Sequence, residues 1–278
     1  MTMKPRATQR DWLPLAPAAE VPPPPAPGDA FRPEWFDLEH GIRVGNLEPH
    51  ERITQILKNY LEAAYSTAFV IDRWGRGVYW QWICWLPRAN REAKPISSAV
   101  NFGCAKLFLT LDRKQRVLKV GLQVERGHAE GPSPYPGCLL QSDWDWHRLV
   151  AACQSETAFE HELQRLLRTE GFVAEVGDWE ANQVFTGADF TSSAQIRDVL
   201  EGYPRRQWVG FQLYYPIPEA ELRRASGGEL VQAICAVFAD VVPAMNACLQ
   251  VPLAAPRSVA DPDGAGPAGT FRRRVVAR

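Results

Sequence analysis

The sequence predicts an α+β domain, a mostly antiparallel sheet with helices packed on it. Three observations carry that prediction. Residues 105–125 alternate apolar and polar side chains around a central turn, and the predicted element order, α-β-β-β-β-α-α-β-β-α-β-α, holds hairpins without regular β-α alternation. Residues 229–249 would be apolar on most sides of a helix. With 278 residues, 46% hydrophobic and 23% charged, the chain has an ordinary globular composition and can bury a sizeable core.

The first helix is expected over 49–65, where Ile53, Ile56, Leu57, Tyr60, Leu61, Ala64 and Tyr65 recur at three- and four-residue spacing behind Pro49 at the first helical position. Two strands follow, Ala68–Arg73 and Val78–Leu86, around Gly75 and Gly77. Strict alternation in the second puts Trp80, Trp82 and Cys84 on one face and Tyr79, Ile83 and Trp85 on the other, so both faces should be covered. In the hairpin, a four-residue loop Arg113–Arg116 pairs Asp112 with Val117 and Leu111 with Leu118, which collects the leucines on one face.

Helical patterning resumes at 144–153 and 156–169, the latter ended by Gly171. Short strands are expected at 172–176 and 183–185. Ser192 and Gln195 form a capping box for a helix near 193–201. Gln207–Tyr215 reads as a strand closed by Pro216 and Pro218. The final helix, 229–249, should kink at Pro243, and its apolar girth makes it the core of the fold or half of a protein interface.

The organisation expected is a Pro-rich disordered arm over 1–33, one domain over 34–250 with a sub-boundary near 127–137, and a flexible basic tail over 251–278. Nine of the 23 prolines fall in the first 33 residues, where missing amide donors oppose sheet and helix. The first residues lack the compact apolar run of a secretory signal, and no run of about 18 uninterrupted apolar residues occurs. A cytoplasmic location without membrane contact, and reduced cysteines, are therefore expected. The Ala/Arg/Pro-rich composition suggests a bacterial source.

The net charge of −1 gives no global field for holding a polyanion. Locally, Lys106 and Lys119 lie on the polar side of the hairpin, Arg113, Lys114 and Arg116 at its tip, and Arg126 at its far end. With Arg272, Arg273 and Arg274 in the tail, these residues form a candidate surface for nucleic acid or an acidic partner. Trp74, Trp80, Trp82 and Trp85 near Arg73, Arg76, Arg88 and Arg91 could stack on bases or pack in the core.

Catalytic patterns are sparse. No phosphate-binding glycine loop, dinucleotide fingerprint or nucleophile elbow occurs, and no cysteine pair has metal-ligand spacing, so no cofactor and no metal are expected. Asp112 and Glu125 fall at opposite ends of the hairpin, about 27 Å apart at roughly 3.4 Å per residue, too far to share an ion. Asp143, Asp145 and His147 form one acid–imidazole cluster, with Ser142 or Asp143 as an alternative helix cap. Cys138, in a loop ten residues after His128, is a candidate nucleophile. That spacing resembles the active-site approach of ubiquitin-conjugating enzymes, although no Pro-Asn follows His128. Tyr214-Tyr215-Pro216-Ile217-Pro218 before a long helix is similar to the DNA-reading modules of methylation-dependent restriction systems, without a diagnostic motif.

These observations lead to an expected non-enzymatic binding or adaptor subunit of a larger assembly, meeting a protein partner or a second copy of itself. Nucleic-acid binding through the basic hairpin is the alternative. An enzyme using Cys138 or the Asp143–His147 cluster comes third.

Overall fold

The computed structural model describes residues 28–94, 101–178 and 182–254. Nine strands form one sheet: β1 (Phe36–Asp37), β2 (Gly41–Arg43), β3 (Phe69–Arg76), β4 (Tyr79–Pro87), β5 (Lys106–Asp112), β6 (Val117–Gly127), β7 (Val173–Gly177), β8 (Asn182–Phe185) and β9 (Val209–Pro218). Their order is β1-β2-β4-β5-β6-β9-β7-β8, with β3 paired to β4, and every pairing is antiparallel. The helices are α1 (Ile53–Tyr65), α2 (Arg88–Glu92), α3 (Asp145–Ala152), α4 (Ala158–Gln164) with a π turn at Arg165–Thr169, α5 (Ser193–Gly202), α6 (Glu219–Leu222) and α7 (Gly227–Cys248). The fold is α+β, with a long apolar C-terminal helix.

The central hairpin has the register its alternation predicts, Asp112 opposite Val117 and Leu111 opposite Leu118. Leu107, Leu109, Leu111, Leu118, Val120, Leu122 and Val124 all enter the main core. On that same face lie α1, α3, α4, α5 and α7. Phe238 of α7 meets Trp85 at 5.7 Å between ring centroids, and Phe159 of α4 meets Phe211 at 6.3 Å. By length and composition α7 could cross a membrane, yet Leu230, Ile234, Phe238, Val241 and Met245 are all buried against the sheet and its neighbouring helices. Its apolar girth is therefore used as core. Pro243 falls on its exposed side.

Several boundaries differ from expectation for identifiable reasons. Pro49 belongs to a turn, in which Arg52 N–H donates to Glu48, and α1 begins at Ile53. Before it stands the unpredicted β1–β2 hairpin, two and three residues long, too short for periodicity to reveal. The supposed arm over 1–33 includes packed residues: Phe31 is buried between Trp35 and Phe36, at 5.4 and 5.1 Å. Residues 1–27 and 255–278 lie outside the described residues, as does most of each expected tail.

The strand expected to end at Tyr215 continues through both prolines, with Pro216 opposite Lys119 and Pro218 opposite Val117. On its other side β9 loses its neighbour after Tyr214, where pairing with β7 begins at Val173. Beyond that point β9 is an edge, and proline's missing donor removes no ladder bond. β6 before the loop at 127–137 and β7 and β9 after it share one sheet and one core.

Strict alternation fails in β4. Trp74 pairs with Trp82 but Gly75 with Trp80, so Gln81 is an extra residue and the strand bulges there. The bulge turns Trp80 into the main core beside Ile42, while Trp82 stays on the opposite face.

Candidate functional site

The opposite face of the sheet carries a smaller cluster, Cys84, Leu86, Cys104, Phe108 and Tyr214, with Trp82 and Val173 against it. Among the described residues, no helix contributes to it. Pairing arranges this face in rows. One runs Trp74, Trp82, Thr110, Lys119 and Pro216 across five strands; another runs Lys106, Gln123, Gln212, Glu175 and Val184.

Hydrogen bonds stitch the rows together. Trp82 Nε1 donates to Gln123 Oε1 at 2.9 Å, and Gln212 Nε2 donates to the same oxygen at 3.0 Å. Lys119 Nζ meets Glu175 at 2.8 Å and Asp112 at 3.1 Å, and Tyr214 OH donates to Glu175 at 3.0 Å. Asn182 also donates to Glu175, and Lys106 pairs with Glu125.

These pairings set the ionisation. Burial acts against charge on Lys106, but Glu125 and the nearby Cys84 outweigh it and raise its pKa. Burial and the Glu175 carboxylate raise the Tyr214 phenol well above its ordinary value. Burial pushes Asp112 upward, yet the Gln115 amide and the Lys119 ammonium prevail and its pKa is lowered. Among the described residues, the charged groups at the centre of this face are paired with one another.

The expected outer, solvated face of the hairpin is thus covered. Lys106 and Lys119 are buried in ion pairs, held by neighbouring strands that hairpin periodicity does not reveal. Arg126 is buried too, donating to Tyr203, Pro204 and Gln207 carbonyls at 3.2, 2.6 and 2.6 Å, so it fastens a loop. Arg116, with φ 56°, is exposed but bridges Glu39 at 2.5 Å and Glu219 at 2.7 Å. Arg272, Arg273 and Arg274 lie outside the described residues.

At one end of the sheet two hairpin turns stand side by side. Arg76 and Tyr79 bracket the first, Asp112 and Val117 the second, and Arg113 Nη2 reaches across to Gln81 Oε1 at 3.2 Å. Arg73, Arg76, Arg113 and Lys114 are all exposed there, and none has an ion-pair partner among the described residues. The Arg73 guanidinium lies 3.6 Å from the Trp80 ring centroid on the core side. Trp74, 71% exposed, stands on the other side next to half-buried Trp82. Sequence reasoning treated the tryptophan strand and the basic turn separately; pairing of β4 with β5 puts them together.

The candidate catalytic groups do not assemble. Burial raises the Cys138 thiol pKa, with the Glu125 charge adding to it, which opposes thiolate formation. His128 donates its backbone N–H to the Cys138 carbonyl at 2.9 Å, while its ring Nδ1 faces Ser133 Oγ at 2.5 Å. The acid–imidazole cluster is split. Asp145 is fully buried, 2.8 Å from Lys94 and from Asn90 Nδ2, whereas His147 is exposed, with Nε2 3.1 Å from the Gln141 carbonyl. The cap of α3 is Trp144, not Ser142 or Asp143. Among the described residues no group of three His, Cys, Asp or Glu side chains is placed to hold a metal ion. A shallow depression of about 450 Å³ beside α5 is lined by Gln183, Asp198, Tyr203 and Gln207, with Asp198 its one charged side chain among the described residues.

The chain matches no protein-family model, no curated protein and no solved structure.

Proposed function

We propose that this protein is a non-enzymatic binding subunit of a larger assembly, and that it meets its partner along the exposed borders of the helix-free side of the sheet, whose centre is buried. One observation carries the reading. The helices pack on one face, while the other has a saturated polar floor whose borders expose Trp74 at one edge strand and Val184 at the other. A saturated floor suits shape and stacking recognition better than proton transfer, because its carboxylates and ammonium groups are already committed to one another.

The test is light scattering of the tagged chain recovered gently from its native extract, beside a Trp74→Glu/Val184→Glu variant. The expected result is a complex heavier than the 31.2 kDa chain that falls to the monomer in the variant. A wild type that stays a monomer, or a complex indifferent to both substitutions, overturns the reading.

A further inference from the structure

We infer that the paired hairpin turns, with the adjoining tryptophan row, form a binding site for single-stranded nucleic acid. The inference rests on the reading above and names the partner's chemistry. Arg73, Arg76, Arg113 and Lys114 concentrate four exposed cations at one end of the sheet, on a chain whose net charge is −1. Nearby acids are held by other groups: Asp112 and Glu175 share Lys119, Glu39 and Glu219 share Arg116, and Asp72 accepts from Asn101 and from the Arg73 amide. The four cations face solvent, where they can meet phosphates.

The second component is aromatic. Trp74 and Trp82 are directly opposite on β3 and β4, pointing to the same face, about 5 Å apart at the backbone. Trp82 is fixed by its bond to Gln123, whereas the Trp74 ring is open to solvent. A fixed ring beside an open one gives successive bases a stacking platform. The row continues to Thr110, whose hydroxyl donates to the Gln81 carbonyl at 2.9 Å. Bases inside a duplex are already stacked on one another, so this platform selects unpaired strands.

The experiment is fluorescence anisotropy of labelled oligo-dT and oligo-U of about 15 nucleotides, and of a duplex of equal length, against the full chain. Arg113→Glu/Lys114→Glu is compared with Arg205→Glu/Arg206→Glu, an equal charge change on exposed arginines at the opposite end of the sheet. The C-terminal arginines are the same in both, so the comparison isolates position. Single strands are expected to bind better than duplex, with a roughly fifty-fold loss of affinity between about 50 and 200 mM salt for four phosphate contacts. The Arg113/Lys114 variant should lose at least about ten-fold relative to the control. Trp74→Ser should lose at least about five-fold.

No binding to either oligonucleotide, equal preference for duplex, or equal losses in the two charge variants overturns the inference. If oligonucleotides fail while a nuclease-resistant complex from native extract still depends on Trp74, the partner is a protein; the helix-free face stands and the nucleic-acid site falls. If both fail, both readings fall.

Discussion

The indole N–H of Trp82 on β4 donates to Gln123 Oε1 on β6 at 2.9 Å, spanning the intervening strand β5. It joins the exposed tryptophan edge to the polar floor. Trp82→Phe should remove this bond without orphaning the oxygen, because Gln212 still donates to it at 3.0 Å. The expected loss is about 1 kcal/mol of stability, read from urea unfolding. A loss several times larger would mean that the bond organises the whole floor.

Lys106 and Glu125 are a buried pair, with side chains 2% and 6% exposed. Lys106→Met alone strands a carboxylate and should cost about 3–5 kcal/mol. Lys106→Met/Glu125→Leu should recover much of that loss in the same unfolding assay. A double variant no better than the single one would contradict this account.

All six cysteines are free and buried. A thiol reagent should therefore find no rapidly reacting sulfur in the native chain near neutral pH, and all six after denaturation. Rapid labelling of Cys138 would reopen its candidacy as a nucleophile.

Burial lifts the Cys104 thiol to about 11 and the Cys153 thiol to about 12, against an ordinary value of 9.0. Below the unfolded value both states keep the proton and the full stabilisation is present. As pH rises from 9.0 toward 11 the unfolded chain ionises first, so stability should fall across that window. Urea midpoints through this range should decline less steeply in Cys104→Ala/Cys153→Ala.

The acid side has the opposite sign. Glu160 accepts the Ser193 and Glu156 amides at 2.9 and 2.7 Å, and these bonds, the Ser193 amide foremost, lower its pKa below the ordinary 4.5. Its contribution is present above that value and is lost as pH falls through the depressed folded one. Glu160→Gln should flatten acid unfolding monitored by circular dichroism.

Where one segment contained the whole interaction, the sequence was readable. The hairpin register follows from alternation between Lys106 and Gln123, and the box formed by Ser192 and Gln195 starts α5 as its spacing implies. Where a partner comes from far along the chain, it was not. Glu175 reaches Lys119 from 56 residues away, and no local pattern marks it. The flip of Trp80 likewise depends on a bulge at Gln81 that alternation by itself contradicts.

The amino-acid order determined the fold class, the leucine face of the central hairpin and the apolar helix that covers it, because periodicity acts between near neighbours. Tertiary structure decided which lysines meet solvent, and which basic turn stands beside which tryptophan. Burial and charge pairing depend on the strand lying next door, and for β6 that strand is β9, whose residues lie far along the chain.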